Sequence, residues 1–362
     1  QPGGVSSNAP GHLQLQSSVK AAWSADAGEG SSSYGKLTSS PVVYGGRVYT
    51  LDAYGNITAF SAAGGKKAWR YSLAPKHENA QEGFGGGLAV ADGRIIAATG
   101  FGTVVALNPR SGAKLWDVTL GVPVRNSPTA AGGKIFVASI DGRFHALSAE
   151  DGKTLWRFDS APHKASILSN VSPAVAEGIV VVPYLSGDVV AVNAETGETL
   201  WTDSLSSSRS RSSVASIGNP GRPVISDGTV FAVGNAGRMI ASGGKSGARL
   251  WSRQVRSIQT PWVAGDAVYI VDVNGRLMAL NRKSGTVYWA AKIPGGGKWS
   301  GPVLAGNRLW LASSKGALVG VDAASGRVTS TKDLGQPVYI APVVAGGRMY
   351  VLTDSASLIA LR

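Results

Sequence analysis

Residues 106–116 read ALNPRSGAKLW, and residues 191–201 read AVNAETGETLW. Each runs a short apolar strand into a Ser/Thr-Gly turn and ends on a tryptophan four residues past the glycine. The Gly-x-x-x-Trp phrase recurs, with GKKAW ending at Trp69, GKTLW at Trp156, GARLW at Trp251 and GTVYW at Trp289. A further copy, GRVTS, carries Ser330 in the tryptophan's place. Self-similarity at a period of about 20–50 residues marks a repeat architecture and outranks any local signal.

A second ladder opens each unit. Pro41, Pro128, Pro173, Pro223, Pro261, Pro302 and Pro342 each head an apolar stretch, and Gly87-Leu88 in GGLAV holds the same place. That makes eight starts, 38 to 50 residues apart. Between start and tryptophan lie two more strands and their turns, as in GGKIFVASIDGRFHAL (132–147). Proline suits the first position of an innermost strand, where no ladder donor is needed. Paired glycines supply the positive φ of tight hairpins. The tryptophan offers a broad apolar face that one sheet cannot bury alone. A four-stranded antiparallel meander repeated eight times predicts an all-β, eight-bladed propeller.

The tryptophan count predicts how the ring closes. The eighth unit ends in LIAL and Arg362 with no tryptophan strand of its own, while KAAWSAD (20–26) carries Trp23 ahead of the first unit. Residues 19–25 are therefore expected to complete the last blade and to remove the sheet edge that an open β-solenoid would expose. The domain reading is a single propeller over 19–362. Residues 1–18, rich in Gly, Pro, Ser and Gln, are read as a flexible tether.

Composition narrows the chemistry. The 362 residues hold 35 Lys and Arg against 22 Asp and Glu, a net charge of +13. Such a field favours anionic partners. The basic residues are scattered over turns without interleaved aromatics, so nucleic acid is not expected as a partner. The chain has no cysteine, which excludes a disulfide framework, a thiolate metal site and a cysteine nucleophile. Its four histidines, at 12, 77, 145 and 163, form no i, i+4 pair. His77, Glu78 and Glu82 fall in KHENAQEGFGGG (76–87), which reads as a Gly-rich entry to the second blade; His145 in FHAL reads as a locally packed side chain. No G-x-S-x-G elbow, P-loop or His-Glu-x-x-His motif is present, and no apolar run reaches 18 residues. No catalytic, metal or cofactor residues are assigned.

The repeat phrase resembles that of pyrroloquinoline-quinone-type propellers, from about residue 20 to 362. Two families share it. Resemblance to the quinoprotein dehydrogenases implies a quinone on the propeller axis with calcium, a general-base aspartate and often a vicinal disulfide. This chain has no cysteine, is shorter than those enzymes and keeps its acids (Asp151, Glu195, Glu198, Asp322) in outer turns. The closer resemblance is to the BamB family of the outer-membrane barrel assembly complex, in length, blade number, closure and N-terminal tether. EGFGGGLAVADGRIIAATGFGTVVAL (82–107) and RSRSSVASIGNPGRPVI (209–225) are similar to phrases of its α-proteobacterial members.

That resemblance implies a non-enzymatic scaffold without cofactor, monomeric alone, held to the periplasmic face of the outer membrane by a lipidated cysteine preceding Gln1. It implies docking to the POTRA domains of the barrel insertase BamA and a role beside nascent outer-membrane proteins. Two irregular connections would carry the contact: APHKASILSNVSP (161–173) into the fourth blade and SLSSSRSRSSVASIGNPGRP (204–223) into the fifth. By position, Ser166, Ile167, Leu168, Ser169 and Asn170 form one half. Ser216, Ile217, Gly218, Asn219, Pro220 and Arg222 form the other, with charge from Arg209 and Arg211. The family pattern has an arginine in the first loop and aspartates in the second; here Leu168, Gly218, Asn219 and Pro220 stand near those places. The alternatives are a quinoprotein-like enzyme and a glycan-binding propeller. The latter needs aromatics at the funnel, and its candidates Trp262, Trp299 and Trp310 read as strand core.

Overall fold

Gly45 and Gly46 sit at φ +56° and +73° and join Val42–Tyr44 to Arg47–Leu51 in a two-residue turn. Two successive positive φ values give the mirror-image turn whose twist matches the flanking strands, which is why a glycine pair recurs at the first hairpin. The chain continues through Asn56–Ser61 and Lys67–Ser72, each antiparallel to the strand before it. The computed structural model describes residues 19–159, 171–206 and 220–362. Among them the same meander recurs to give eight four-stranded sheets set in a ring, an eight-bladed propeller.

The ring closes through its two ends. Ala21–Asp26 pairs antiparallel with Ser357–Leu361 and becomes the outer strand of the eighth blade. Lys20 and Arg362 exchange backbone hydrogen bonds at 2.9 and 3.0 Å beyond it. The expected closing strand is found, beginning two residues later and ending one residue later than the 19–25 expected. The tether expected at residues 1–18 lies outside the described residues.

The core lies between blades rather than within them. Tyr49, Leu51 and Ile57 of the first blade pack on Leu88, Ile95 and Leu107 of the second. Val48 and Phe60 on the other face of the first blade pack on Tyr350 and Leu358 of the eighth. Burying an aliphatic or aromatic side chain of this size stabilises by about 1.5–3 kcal/mol. No single sheet could hide both faces without its neighbours.

The tryptophans lock each blade to the next. Each pairs across its own sheet with a small residue, Trp69 with Ala59 and Trp201 with Ala191. Its indole then covers the turn glycine of the following blade. A Cβ added at Gly247 would lie 2.6 Å from Trp201 Cγ, so that turn admits only glycine. The Trp201 indole N–H donates to the Gly244 carbonyl at 2.7 Å, and Trp69, Trp251 and Trp289 donate to Pro109, Arg282 and Ala323 in the same way.

Ser330 breaks the ladder for a physical reason. The eighth blade has chain ends where the others have a Ser/Thr-Gly turn, so an indole there would find no glycine to cover. Trp310, two strands inward, supplies the bulk instead. It pairs with Gly320, which pairs on its other side with Ser330. Trp310 is fully buried and packs with Met349, Val351 and Leu361 of the last blade.

Candidate functional site

Every blade enters the ring through its innermost strand, so the residues just before those strands converge on one end of the axis. There they line a cavity of about 270 Å³. Ser40, Gly86, Ser127, Ser172, Pro223, Thr260, Gly301 and Pro342, one from each blade, contribute to its wall. Pro223, Pro302 and Pro342 of the sequence ladder belong to it.

Two arginines face this mouth. Gly221 makes the place for one of them: a Cβ there would lie 2.2 Å from the Gln259 carbonyl oxygen, so the chain hugs the sixth blade. The Gly221 N–H donates to the Val233 carbonyl at 2.8 Å, and Pro220 bridges to Gly234. Arg222 then reaches across the mouth and its Nη2 donates to Thr129 Oγ1 at 3.2 Å. That hydroxyl donates in turn to the Pro173 carbonyl at 2.8 Å, tying the third, fourth and fifth blades together. Burial lowers the Arg222 pKa to about 10, which leaves it charged at neutral pH.

Arg125 enters from the third blade. Its guanidinium carbon lies 4.2 Å from the centre of the Phe84 ring, a cation–π contact with the second blade's entry segment. Gly85 lets that segment approach, since a Cβ there would meet Arg125 at 3.2 Å. The Nε of Arg125, the Oδ1 of Asn126 and the indole N–H of Trp262 are buried with no hydrogen-bond partner, and all three residues line the cavity. The cavity wall holds no Asp or Glu among the described residues. Segments 160–170 and 207–219, which precede the walls of the fourth and fifth blades, contain no acidic residue in sequence.

Of the expected contact residues, Pro220 and Arg222 are described. Pro220 is buried against the fifth blade's second strand, and Arg222 lies in the mouth wall. Ser166, Ile167, Leu168, Ser169, Asn170, Arg209, Arg211, Ser216, Ile217, Gly218 and Asn219 lie outside the described residues. The described downstream ends of both connections, Val171-Ser172 and Arg222-Pro223, reach the same mouth. Trp299 and Trp310 are buried core as read, whereas Trp262 is half-buried and lines the cavity. His145 is buried within the third blade. Sequence reasoning did not find Arg125, Phe84 or Asn126. Aligning the eight units on their prolines would have shown arginines three residues before Pro128 and one before Pro223. Among the described residues, no three His, Asp or Glu side chains gather into a metal-holding group.

A family model described as "Outer membrane protein assembly factor BamB" matches residues 11–83, 53–291 and 292–362. Among solved structures, BamB from Moraxella catarrhalis superposes with a TM-score of 0.79 at 18% identity, covering 95% of this chain and 100% of that one. A quinohemoprotein alcohol dehydrogenase from Comamonas testosteroni superposes at 0.77 and 12% identity, covering 95% of this chain and 76% of the enzyme. The Pseudomonas putida HK5 quinohemoprotein alcohol dehydrogenase ADHIIG gives 0.73 at 14%, with the same coverage. At these identities the likeness is one of fold. A search of curated proteins gives no match.

Proposed function

The chain belongs to the family of outer membrane protein assembly factor BamB, and from that premise we propose that it is a non-enzymatic scaffold of the barrel assembly machinery. It works at the periplasmic face of the outer membrane. There it docks the POTRA region of the barrel insertase and aids the folding and insertion of outer-membrane proteins. The observation that carries this reading is the convergence of the two irregular connections, whose described ends reach one mouth. Loops held by a packed ring are positioned without being constrained in sequence, which is where binding function accumulates.

In this reading the partner's exposed strand edge pairs with loop backbone, and Ile167, Leu168 and Ile217 supply apolar anchors. Arg209 and Arg211 bring positive charge to the same approach. The basic chain, at +13, steers an acidic partner face toward the mouth.

The dehydrogenase reading has the fold in its favour and the wall of the mouth against it. A calcium ion takes six to eight oxygen ligands, carboxylates prominent among them. The described wall, with two arginines and no carboxylate, does not fit one.

The test is the affinity of the chain for the POTRA region of its cognate insertase near 0.15 M salt, where exposed charges are screened beyond about 8 Å. Saturable binding, together with no quinone-dependent dye reduction, supports the scaffold. Undetectable binding at high concentration, or calcium- and quinone-dependent turnover, rules it out.

A further inference from the structure

Each innermost strand leaves the mouth and runs to a first hairpin turn, and the later strands of the blade pair antiparallel in sequence. The first hairpin turns and the Ser/Thr-Gly turns therefore lie on the face opposite the mouth. The closing strand begins there too, because Ala21 pairs with Leu361 at the far end of the eighth blade's third strand. This face carries its positive charge on one side. Over the first blade its turns hold Arg47, Lys66 and Lys67, and over the second Arg94, Arg110 and Lys114. The eighth adds Arg348 and, at the start of the closing strand, Lys20. The one acid in those segments is Asp92. The corresponding turns of the third to sixth blades hold six cations and seven acids.

The two sides also differ in pairing. Lys134, Lys153, Arg249 and Arg282 form ion pairs with Glu195, Asp151, Asp203 and Asp227. Of the eight cations on the other side, Lys114 alone meets a carboxylate among the described residues, Asp117 at 2.6 Å. Contacts between blades join these cations into one patch. Trp23, three residues after Lys20, lies over Gly65 and donates to the Ala62 carbonyl at 3.2 Å, which holds the closing strand against the turn of Lys66 and Lys67. The Arg47 guanidinium donates to the Pro109 carbonyl at 2.8 Å and to that of Arg110, so two like charges adjoin. Tyr44, 39% exposed, reaches with its hydroxyl toward Gly93 beside Arg94. Gathered like charges repel one another and favour an anionic partner among them.

The cations stand on separate turns across three blades, spread over a face, which suits a two-dimensional array of phosphates. Tyr44 and the exposed Leu115 among them are side chains of the kind that settle at headgroup level. The chain before Val19 joins the ring on this same face, and residues 1–18 bring no Asp or Glu to it. We propose that the face opposite the mouth, over the eighth, first and second blades, docks on the anionic phospholipid headgroups of a bilayer and leaves the mouth turned away from it. The inference goes beyond the scaffold reading and does not depend on it.

The experiment mixes the full chain with vesicles of phosphatidylcholine alone, or with about 40% phosphatidylglycerol, in about 0.1 M salt, and measures bound protein by sedimentation. The expected result is partition onto the anionic vesicles at least tenfold stronger, lost near 1 M salt, where charges are screened beyond about 3 Å. Lys66→Glu combined with Lys67→Glu, both exposed, should weaken that binding at least tenfold at an unchanged melting temperature. Lys245→Glu combined with Lys283→Glu makes the same change in net charge on the other side of the face and should stay within about twofold of the parent. If the first pair melts early, Lys20→Glu with Arg110→Glu takes its place with the same expectation. Equal losses in the two pairs would assign the binding to the charge of the whole chain and overturn the patch. No preference for anionic vesicles overturns the lipid surface. Binding of poly-L-glutamate that the Lys66 and Lys67 pair weakens, without vesicle binding, assigns the patch to an acidic protein and overturns it as well. The vesicles hold no insertase, so each of these outcomes leaves the docking reading where it stands.

Discussion

The rim and the mouth of this ring treat polar atoms in opposite ways. At the rim, the indole N–H of Trp69 donates to the Pro109 carbonyl of the next blade at 3.0 Å, and the other junctions follow suit, with Trp116 as an exception. Each indole lies over a glycine that admits nothing larger. At the mouth, Arg125 Nε, Asn126 Oδ1 and Trp262 Nε1 are buried without a hydrogen-bond partner, and the described wall carries no carboxylate. Repetition has optimised the rim for holding blades together. Buried polar atoms without hydrogen bonds break a general rule of packing, and such breaks concentrate where a molecule works.

The largest test of the comparison is at the irregular rim junction. Trp310→Ala removes a fully buried indole that fills the gap beside Ser330. A truncation of this kind costs about 3–5 kcal/mol. Denaturant unfolding with an unchanged m value would report it. Adding Ser330→Trp should not restore the loss, because the last blade offers no turn glycine for the new indole to cover. Restoration would show that the indole's place in the ring, rather than its glycine partner, is what matters.

Two glycines separate steric fit from backbone freedom. Gly247 and Gly346 have similar φ values, +69° and +56°, but a Cβ meets Trp201 at 2.6 Å in the first case and nothing within 4 Å in the second. Gly346→Ala should cost about 1–2 kcal/mol from the left-handed backbone alone. Gly247→Ala should cost clearly more, and thermal melts of the pair would measure the difference. Equal costs would mean that the indole moves aside freely.

A smaller contrast pairs rim and mouth directly. Trp251→Phe gives up the bond to the Arg282 carbonyl at 2.8 Å and should cost about 1–3 kcal/mol. Trp262→Phe gives up no hydrogen bond and should shift stability by no more than about 0.5 kcal/mol. Chemical denaturation of both variants decides whether the rim bond contributes as described.

The smallest effect is that of pH on His145. Burial in the third blade, the leading cause, holds its imidazole below the ordinary value of 6.5, with Arg157 and Arg143 nearby acting in the same direction against Asp141 and Asp159. The folded state therefore binds this proton less readily than the unfolded chain. Stability from the neutral ring is fully present above about pH 6.5 and is lost as pH falls toward the lower folded value. Melting temperatures from pH 8 to pH 5 should decline less steeply in His145→Gln.

The sequence made the ring legible because its signals were redundant. The tryptophan, glycine and proline ladders together counted the blades, and Trp23 marked the closure. Ser330 stood in a tryptophan's place with no cause visible in the sequence. Its cause lies in a turn missing from the next blade, a relation between residues that no local window shows. The mouth was largely illegible for a similar reason. Arg125 and Asn126 are neighbours but lie far along the chain from Trp262 and share no spacing with it, and only closure of the ring brings them into one wall. Arg222 was singled out as a loop contact, and it lines the mouth.

One matched pair of variants tests the division between rim and mouth most directly. Leu168→Asp alters the connection into the fourth blade, while Leu250→Asp alters a rim strand, Arg249–Gln254, at a side chain 56% exposed. Both are measured for affinity toward the insertase's POTRA region at equal thermal stability. The Leu168 variant is expected to bind at least tenfold more weakly and the Leu250 variant to bind as the parent does. A loss confined to Leu250→Asp, or shared equally by the two, would contradict it and move the docking surface to the rim.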